Sequence, residues 1–559
     1  MANMKLQVEF NKHPARAFSD VRSFETDLRL VTGWIQECAL NHENCKRGQR
    51  SWYPTRLLHF ESKAQNVKLI VSKENPPNGP YVTLSHRWGQ HKYETLKPST
   101  MQRLKKGIDA VTLPQIFQDA IQIAQALGVH YLWIDGLCIQ QGEDYRSDWA
   151  RESQQMDQVY SNAFFNISAT LSEDGTESLF HRRSWRSIIP SRIQIDMQGR
   201  LEQYYVLDGD IWKDEVDEAP LSTRGWVFQE RILAPRVIHF GPSQIGWECK
   251  ELEALEMFPN GLPQMCGLST MRKSDILQDP PAATQDSGST DLDGFVDLWQ
   301  QLVSAYSRCA LSQPGDKLVA FLGIAKKFMQ SRTDTYIAGM WEKTLTYDLA
   351  WNRATLDIED YPLSKTSCRA PSWSWASVDG EIEFPKMLDG VRDHFVSDMQ
   401  LSTTVDNSTP AVRRSKVQAR GLCLPLRLKW SNRKISGVTV AGLHFMAADE
   451  EDSDQKIVLE DSTRAAEAGG AVGRLLLLPL FTTTHLLVGL VLIKTRGVNA
   501  HLRVGSVQLR IMAEPVGEIT PPKDMKRERD GNRYWSVPAL KLRLHILGNQ
   551  RQVRKIEIF

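Results

Sequence analysis

The sequence predicts an α/β domain, a parallel sheet flanked by helices, followed by a helical region and then a β-rich C-terminal region. Three observations carry this prediction. Apolar strand-like runs alternate with amphipathic helical patterns between residues 81 and 169, helical periodicity returns at 293–309 and 316–330, and short apolar runs separated by turns dominate from about 415. Strand and helix alternating in this way imply parallel strands covered on both faces.

The chain has 559 residues, enough for several domains. The expected division is an N-terminal helical region at 1–75, the α/β domain at 81–240, a helical region at 241–380 containing a Pro, Ser, Thr and Asp-rich linker at 276–292, and the β-rich region at 381–559. Hydrophobic content of 41%, charged content of 24% and a mean hydropathy of −0.37 are those of a soluble globular protein. Lys and Arg (68) nearly cancel Asp and Glu (67), so the composition gives no electrostatic case for nucleic acid or an anionic membrane. The most hydrophobic run, 475–493, is interrupted by Pro479 and His485 and reads as two buried strands rather than a membrane span. Eight cysteines in a chain without a secretory signal point to the reducing cytosol, which makes the Asn-x-Ser/Thr matches at Asn166 and Asn407 chance occurrences.

Taken in order, residues 22–37 carry helical periodicity through Phe24, Leu28, Leu30, Val31, Trp34 and Ile35. The same face continues as Cys38, His42 and Cys45, spaced like a metal clip on a helix. Three ligands suit zinc only if a fourth comes from elsewhere, such as His59, or from water. Structural zinc sites usually present two ligand pairs, so the expectation is no metal here but a buried helix end with two free thiols and a capping histidine.

YVTLSHRWG, 81–89, reads as a buried strand with Ser85, His86, Arg87 and Trp88 at its carboxyl end. A helix opens at Pro114, buries Ile116, Phe117, Ala120, Ile121, Ala124 and Leu127, and stops at Gly128. Strand 129–135, helix 145–161 and strand 163–169 complete the unit. Ligands of such sheets sit outside the carboxyl ends of the strands, which puts Ser85 to Trp88, Asp135 to Cys138 and the start of the next helix on one rim.

On the wheel of that helix Trp149, Met156, Tyr160 and Ala163 form an apolar stripe with Glu152 inside it. An unpaired buried acid is costly, so Glu152 either has a partner elsewhere in the chain or lines a cleft. The sequence has no GxGxxG, P-loop or HExxH motif in a fitting context, which removes support for hydride transfer, phosphoryl transfer and zinc proteolysis. Cys138 with His86 as base is an alternative, although a cysteine just past a strand is more often packed core.

Residues 220–241 read as a helix capped by Ser222 or Thr223, stopped by Pro235 and followed by a strand. Its interleaved Arg224, Gln229, Glu230 and Arg236 suggest a helix sealing the domain with buried ion pairs, with Arg224 or Glu230 able to reach the rim. APSWSWASVDG, 370–380, suggests a strand whose alternating Trp373 and Trp375 form a packing seam, and the acidic tract at 449–454 a solvated loop.

Three blocks, YVTLSHRWG, LGVHYLWIDGLCIQQ with the following DW-x-x-E, and STRGWVFQERILAPRVIHF, together resemble the fungal heterokaryon incompatibility (HET) domain family. The flanking W-x3-C-x3-H-x2-C, DKLVAFLGIA and SWSWASVDG segments and a late RVG agree, so the resemblance spans about 34–510, with the domain proper at about 81–231. His86 stands where many members carry tyrosine. The resemblance implies a cytoplasmic role in non-self recognition and programmed cell death, with self-association and other incompatibility or signalling proteins as partners, and neither nucleic acid nor a membrane span.

HET domains are in turn remotely similar to TIR domains, with LSHRWG in the place of the first-strand element and SDWARE, 147–152, matching the segment that carries the TIR glutamate. This likeness implies Glu152 as the catalytic carboxylate in cleavage of NAD to nicotinamide and ADP-ribose, with Ser85, Arg87, Trp88, Asp135 and Trp149 shaping the NAD site. NAD would be substrate, and no resident cofactor is implied. Nicotinamide leaves neutral, so one carboxylate stabilising an oxocarbenium-like ribose suffices. Trp88 or Trp149 would stack on a ring and Arg87 would hold a phosphate. The alternative is a noncatalytic TIR-like module that acts by self-association, since one fold serves both roles.

Overall fold

The structure is a computed structural model that describes residues 4–7, 24–46, 52–61, 65–89, 93–142, 146–172, 174, 176–183, 188, 191–197, 200–263, 272–277, 290–354, 369–385, 391–403, 415–431, 434–440, 443–446, 456–459, 475–483, 486–495, 500–510, 512–513, 525–527, 534–536 and 553–558. The acidic tract at 449–454, Asn407 and residues 278–289 of the predicted linker lie outside these. The chain forms two compact units, one of residues 1–283, 309–312 and 319–331, the other of 284–308, 313–318 and 332–559.

In the first unit the elements run β1 (Met4–Gln7), α1 (Phe24–Leu40), β2 (Arg56–His59), β3 (Asn66–Val71), β4 (Tyr81–Ser85), α2 (Pro98–Lys106), β5 (Ile108–Asp109), α3 (Gln115–Ala126), β6 (Tyr131–Trp133), α4 (Asp135–Cys138), α5 (Arg146–Ser153), α6 (Met156–Ser161), β7 (Asn166–Ser168), β8 (Ser191–Met197), β9 (Arg200–Asp208), α7 (Gly225–Leu233), β10 (Arg236–Phe240), β11 (Ile245–Cys249), β12 (Glu253–Leu255) and α8 (Lys273–Leu277). Among the described residues nine strands form one sheet in the order β12-β11-β10-β7-β4-β6-β2-β3-β5. Its centre, β10-β7-β4-β6, is parallel, and the strands on either side are antiparallel. All five residues of β4 are buried, as befits a strand covered on both faces. Its register places Ser85 beside Ser168 of β7 and Thr83 beside both Asn166 and Trp133, which brings the carboxyl ends of the parallel strands level. α3 presents Ile116, Phe117, Ala120, Ile121 and Ala124 to the core, and Gly128 ends the turn after it at φ +72°, where a β-carbon is disfavoured.

Four expectations need correction. The helix expected over 145–161 is two, α5 and α6, because Gln155 leaves helical geometry at φ −106°, ψ 0° and Ser153 Oγ bonds back to the Ala150 carbonyl. α1 ends at Leu40, so Cys38 lies in its last turn while His42 follows it and Cys45 sits in a separate 3-10 turn, Glu43–Cys45. Ser222 and Thr223 belong to a 3-10 turn, Pro220–Thr223, and Arg224 is the residue that precedes α7. Residues 370–380 form turns and a short 3-10 segment, Trp375–Ser377, rather than a strand, because Ser374 Oγ accepts from the Ala376 amide and starts a turn. Trp373 and Trp375 are nevertheless fully buried, and their indoles donate to the Ser415 and Gly339 carbonyls.

The second unit contains α9 (Thr290–Ser307) and, among the described residues, a sheet of eleven strands. Its strands pair antiparallel except where Ala500 and His501 meet Glu557 and Ile558. The run 475–493 is the hairpin Leu475–Thr483 and Leu486–Lys494, with the register shift between Pro479 and Phe481 accommodating the proline. Leu477, Leu487, Val491, Val504, Val507 and Leu509 share its core. Helix α10 (Lys317–Met329) continues into the first unit from Val319. Among the described residues no helix is long and apolar enough to cross a membrane.

The central parallel strands are the expected source of stability in the first unit. Ile167→Ala, at a fully buried site in β7, should lower the unfolding free energy by about 2–4 kcal/mol in urea titrations. Val111→Ala, at a position 59% exposed, should change it by less than about 0.5 kcal/mol.

Candidate functional site

Several of the residues singled out in the sequence meet at the carboxyl ends of the parallel strands. β4 ends in Ser85 and passes into His86, Arg87 and Trp88, and β6 passes through Ile134 into Asp135 at the start of α4. Trp88 Nε1 donates to Asp135 Oδ2 at 2.7 Å, His86 Nδ1 lies 3.9 Å from Asp135 Oδ1, and His86 Nε2 lies 3.1 Å from the Tyr93 hydroxyl. Arg224 donates to the His86 carbonyl, fixing the backbone just past the strand. Trp88 and Asp135 are therefore in direct contact, and Ser85 stands at the end of the same strand. Arg87 is half-buried. Trp149 stands edge-on to Trp226 with centroids 6.2 Å apart.

The acid at the centre of this cluster is Glu230, from α7. Ser85 Oγ donates to Glu230 Oε2, the Tyr160 hydroxyl also bonds the Glu230 carboxylate, and Asn166 Nδ2 donates to Ser85 Oγ at 2.9 Å. Burial pushes the Glu230 carboxyl up to about 7, with the charge of Asp135 adding to the effect and Ser85, Arg224 and Tyr160 opposing it. Burial likewise raises the Tyr160 phenol and lowers the His86 imidazole. The sequence flagged Glu230 as able to reach the rim, but nothing in it pointed to Tyr160, Tyr93 or Asn166 as partners. The ion pairs that α7 makes come from Arg231, a residue not among those the sequence singled out, which bonds Asp217 at 2.6 Å and Glu248 at 2.9 Å.

Glu152 belongs to a second network. It is 3% exposed. Arg151 Nη2 and Nε donate to its Oε1 at 2.9 and 3.2 Å, and Arg56 Nη1 stands 3.9 Å from the same oxygen. Arg56, also buried, grips Asp148 with both terminal nitrogens, at 2.7 and 3.1 Å, and donates to the Cys138 carbonyl at 2.7 Å. Burial works against the charge of Asp148, yet the Arg56 hydrogen bonds and the Gln140 amide outweigh it and hold the carboxyl below its ordinary value. Of the two alternatives for Glu152, a partner or a cleft, the structure supplies the partner. Cys138, buried under this network, has its thiol raised to about 12 by burial, which opposes nucleophilic use.

A third group gathers Cys38, His42 and Cys45 with Cys249 of β11, their ligand atoms all within 4.8 Å of one another. His59 is not the fourth member; it packs against Tyr131 at 5.1 Å. Beside His42 opens a cleft of about 470 Å³, whose walls include Arg29, Gly33, Trp34 and Glu37.

Residues 81–230 match the model of the family described as Heterokaryon incompatibility protein (HET). No curated protein and no solved structure matches the chain.

The environment of Glu230 has a pH consequence. Its folded value of about 7 lies above the ordinary 4.5, so between these values the folded state holds the proton more tightly than the unfolded one. Stability from this group is complete below the ordinary value, declines as pH rises toward 7, and levels off above it. Glu230→Gln should therefore gain about 1–3 kcal/mol relative to wild type when unfolding at about pH 8 is compared with unfolding at about pH 4. Glu253 and Asp348, also raised to about 7, are common to both proteins and cancel. A difference that does not vary with pH would contradict the assignment.

Proposed function

With residues 81–230 a heterokaryon incompatibility domain, we propose that this protein acts in fungal non-self recognition and regulated cell death, its HET domain serving as a self-associating signalling module. The observation that supports a noncatalytic role is the state of Glu152, buried and held by Arg151 with Arg56 behind it. A carboxylate stabilises a developing ribosyl cation through its field. Two guanidinium groups at comparable range, the half-exposed Arg151 and the buried Arg56, cancel much of that field. The ion pair instead rigidifies α5 and the loop after α4, which suits a surface that must keep its shape on association.

One observation favours a second reading, TIR-like cleavage of NAD to nicotinamide and ADP-ribose. Among the described residues every hydrogen bond to the Glu152 carboxylate falls on Oε1, so Oε2 retains its lone pairs for ribose hydroxyls. Ser85, Trp88 and Asp135 stand together at the strand ends where a nucleotide would bind. The reaction would break the bond between ribose and nicotinamide, with nicotinamide taking the bonding electrons and water adding to the ribose and giving up a proton to solvent.

Purified full-length protein incubated with NAD under crowded conditions separates the two. The signalling reading predicts no nicotinamide release, self-association by light scattering, and cell death on overexpression that Glu152→Gln leaves undiminished. Nicotinamide release that Glu152→Gln abolishes, together with loss of killing, would replace it with the NAD-cleaving mechanism.

A further inference from the structure

The geometry points to a structural zinc site formed by Cys38, His42, Cys45 and Cys249, clipping the N-terminal segment to the edge-side strands of the α/β sheet. Neither arm of the proposed function depends on it.

The ligands converge because two surfaces meet in register. Trp34 and Cys38 lie four apart on one face of α1, and Trp247 and Cys249 lie two apart on one face of β11. Trp34 stacks on Trp247 with centroids 6.1 Å apart and donates its indole N–H to the Pro259 carbonyl at 2.7 Å. That contact brings Cys38 to Cys249. The chain then leaves the helix, and the 3-10 turn at Glu43–Cys45 folds His42 and Cys45 back onto the same point.

The donor set is the one zinc takes. Three sulfurs and one imidazole lie within 4.8 Å of one another, and a tetrahedron with Zn–S bonds of about 2.3 Å has S···S edges of roughly 3.8 Å, so small side-chain adjustments close the site. Cys249 Sγ is already 3.3 Å from His42 Nδ1, which names the ring nitrogen facing the site. Thiolate softness selects zinc over magnesium or calcium. With four protein ligands there is no open position for water, which makes the site structural rather than catalytic.

Its surroundings fit a charged cluster. Three thiolates around Zn2+ carry one net negative charge. Arg236 Nε donates to Cys38 Sγ at 3.1 Å, and the Lys250 amide bonds Cys45 Sγ. A guanidinium aimed at a buried sulfur is wasted on a neutral thiol but matches a metal-bound thiolate, whose orientation such outer hydrogen bonds fix. All three cysteines are free, and Cys38 and Cys249 are at most 2% exposed.

The test uses the full-length chain, purified under reducing conditions. Elemental analysis should find one zinc per chain. Exchange with Co2+ should give the visible absorption of a tetrahedral thiolate site, and a chelator should release the metal and expose three further reactive thiols. Cys249→Ser should lose the metal, Cys309→Ser should keep it, and Arg236→Met, which retains all four ligands, should weaken zinc binding roughly 10- to 100-fold. Because Cys249→Ser also alters the packing of the segment, the Co2+ spectrum of the wild-type chain decides independently. Absorption lacking thiolate bands, failure to take up added zinc, or a disulfide among these cysteines in the purified chain would overturn the site.

Discussion

A single buried guanidinium organises the region around Glu152. Arg56, on β2, satisfies three groups from later in the chain, both oxygens of Asp148 and the carbonyl of Cys138, and its field reaches Glu152. It thereby fixes the end of α4 against the start of α5, and the Gln140 amide adds a further bond to Asp148. Taking an arginine out of water costs several kcal/mol, and only such complete, bidentate pairing offsets that cost. The asymmetry is what matters. Losing Arg56 strips the Cys138 carbonyl of this donor and leaves Asp148 to Arg151 and the Gln140 amide, whereas losing Asp148 leaves a buried guanidinium without its bidentate acid.

Glu152 and Glu230, two of the several buried acids of the domain, have opposite electrostatic surroundings. Glu152 faces arginines and is kept as an ion pair, whereas Glu230 is surrounded by Ser85, Tyr160 and the nearby charge of Asp135, with its carboxyl raised to about 7. Paired carboxylates in contrasting environments often divide acid and base roles. Here the group poised near neutrality is the one at the strand ends, and the acid that pattern matching selects is the one already neutralised. That contrast is why the proposed function rests on association.

The parallel centre of the sheet was legible because its strands are covered on both faces and read as short runs of apolar and β-branched residues such as Tyr81–Ser85, separated by helices with clear periodicity and a glycine stop at Gly128, whereas the antiparallel strands β2, β3, β11 and β12 fall in stretches expected to be helical. The HET resemblance likewise agrees with the matched span, 81–230. What stayed hidden has a common physical cause, separation along the chain. Arg56 and Asp148 lie 92 residues apart, Ser85 and Glu230 lie 145 apart, and His42 and Cys249 lie 207 apart, so no local pattern joins them. The break between α5 and α6 escaped for a different reason. Gln154 and Gln155 are ordinary helix formers, and the interruption accompanies the bond of the Ser153 hydroxyl back to the Ala150 carbonyl, which backbone propensity alone does not reveal.

The most direct test of the central claim, that Arg56 and its acids form one obligate network, is a double-mutant cycle by chemical denaturation on Arg56→Met, Asp148→Asn and the pair. The network predicts a coupling of more than about 2 kcal/mol, each single change being nearly as damaging as both together. Losses that add to within about 0.5 kcal/mol would show that Arg56 and Asp148 act independently, and would contradict the network.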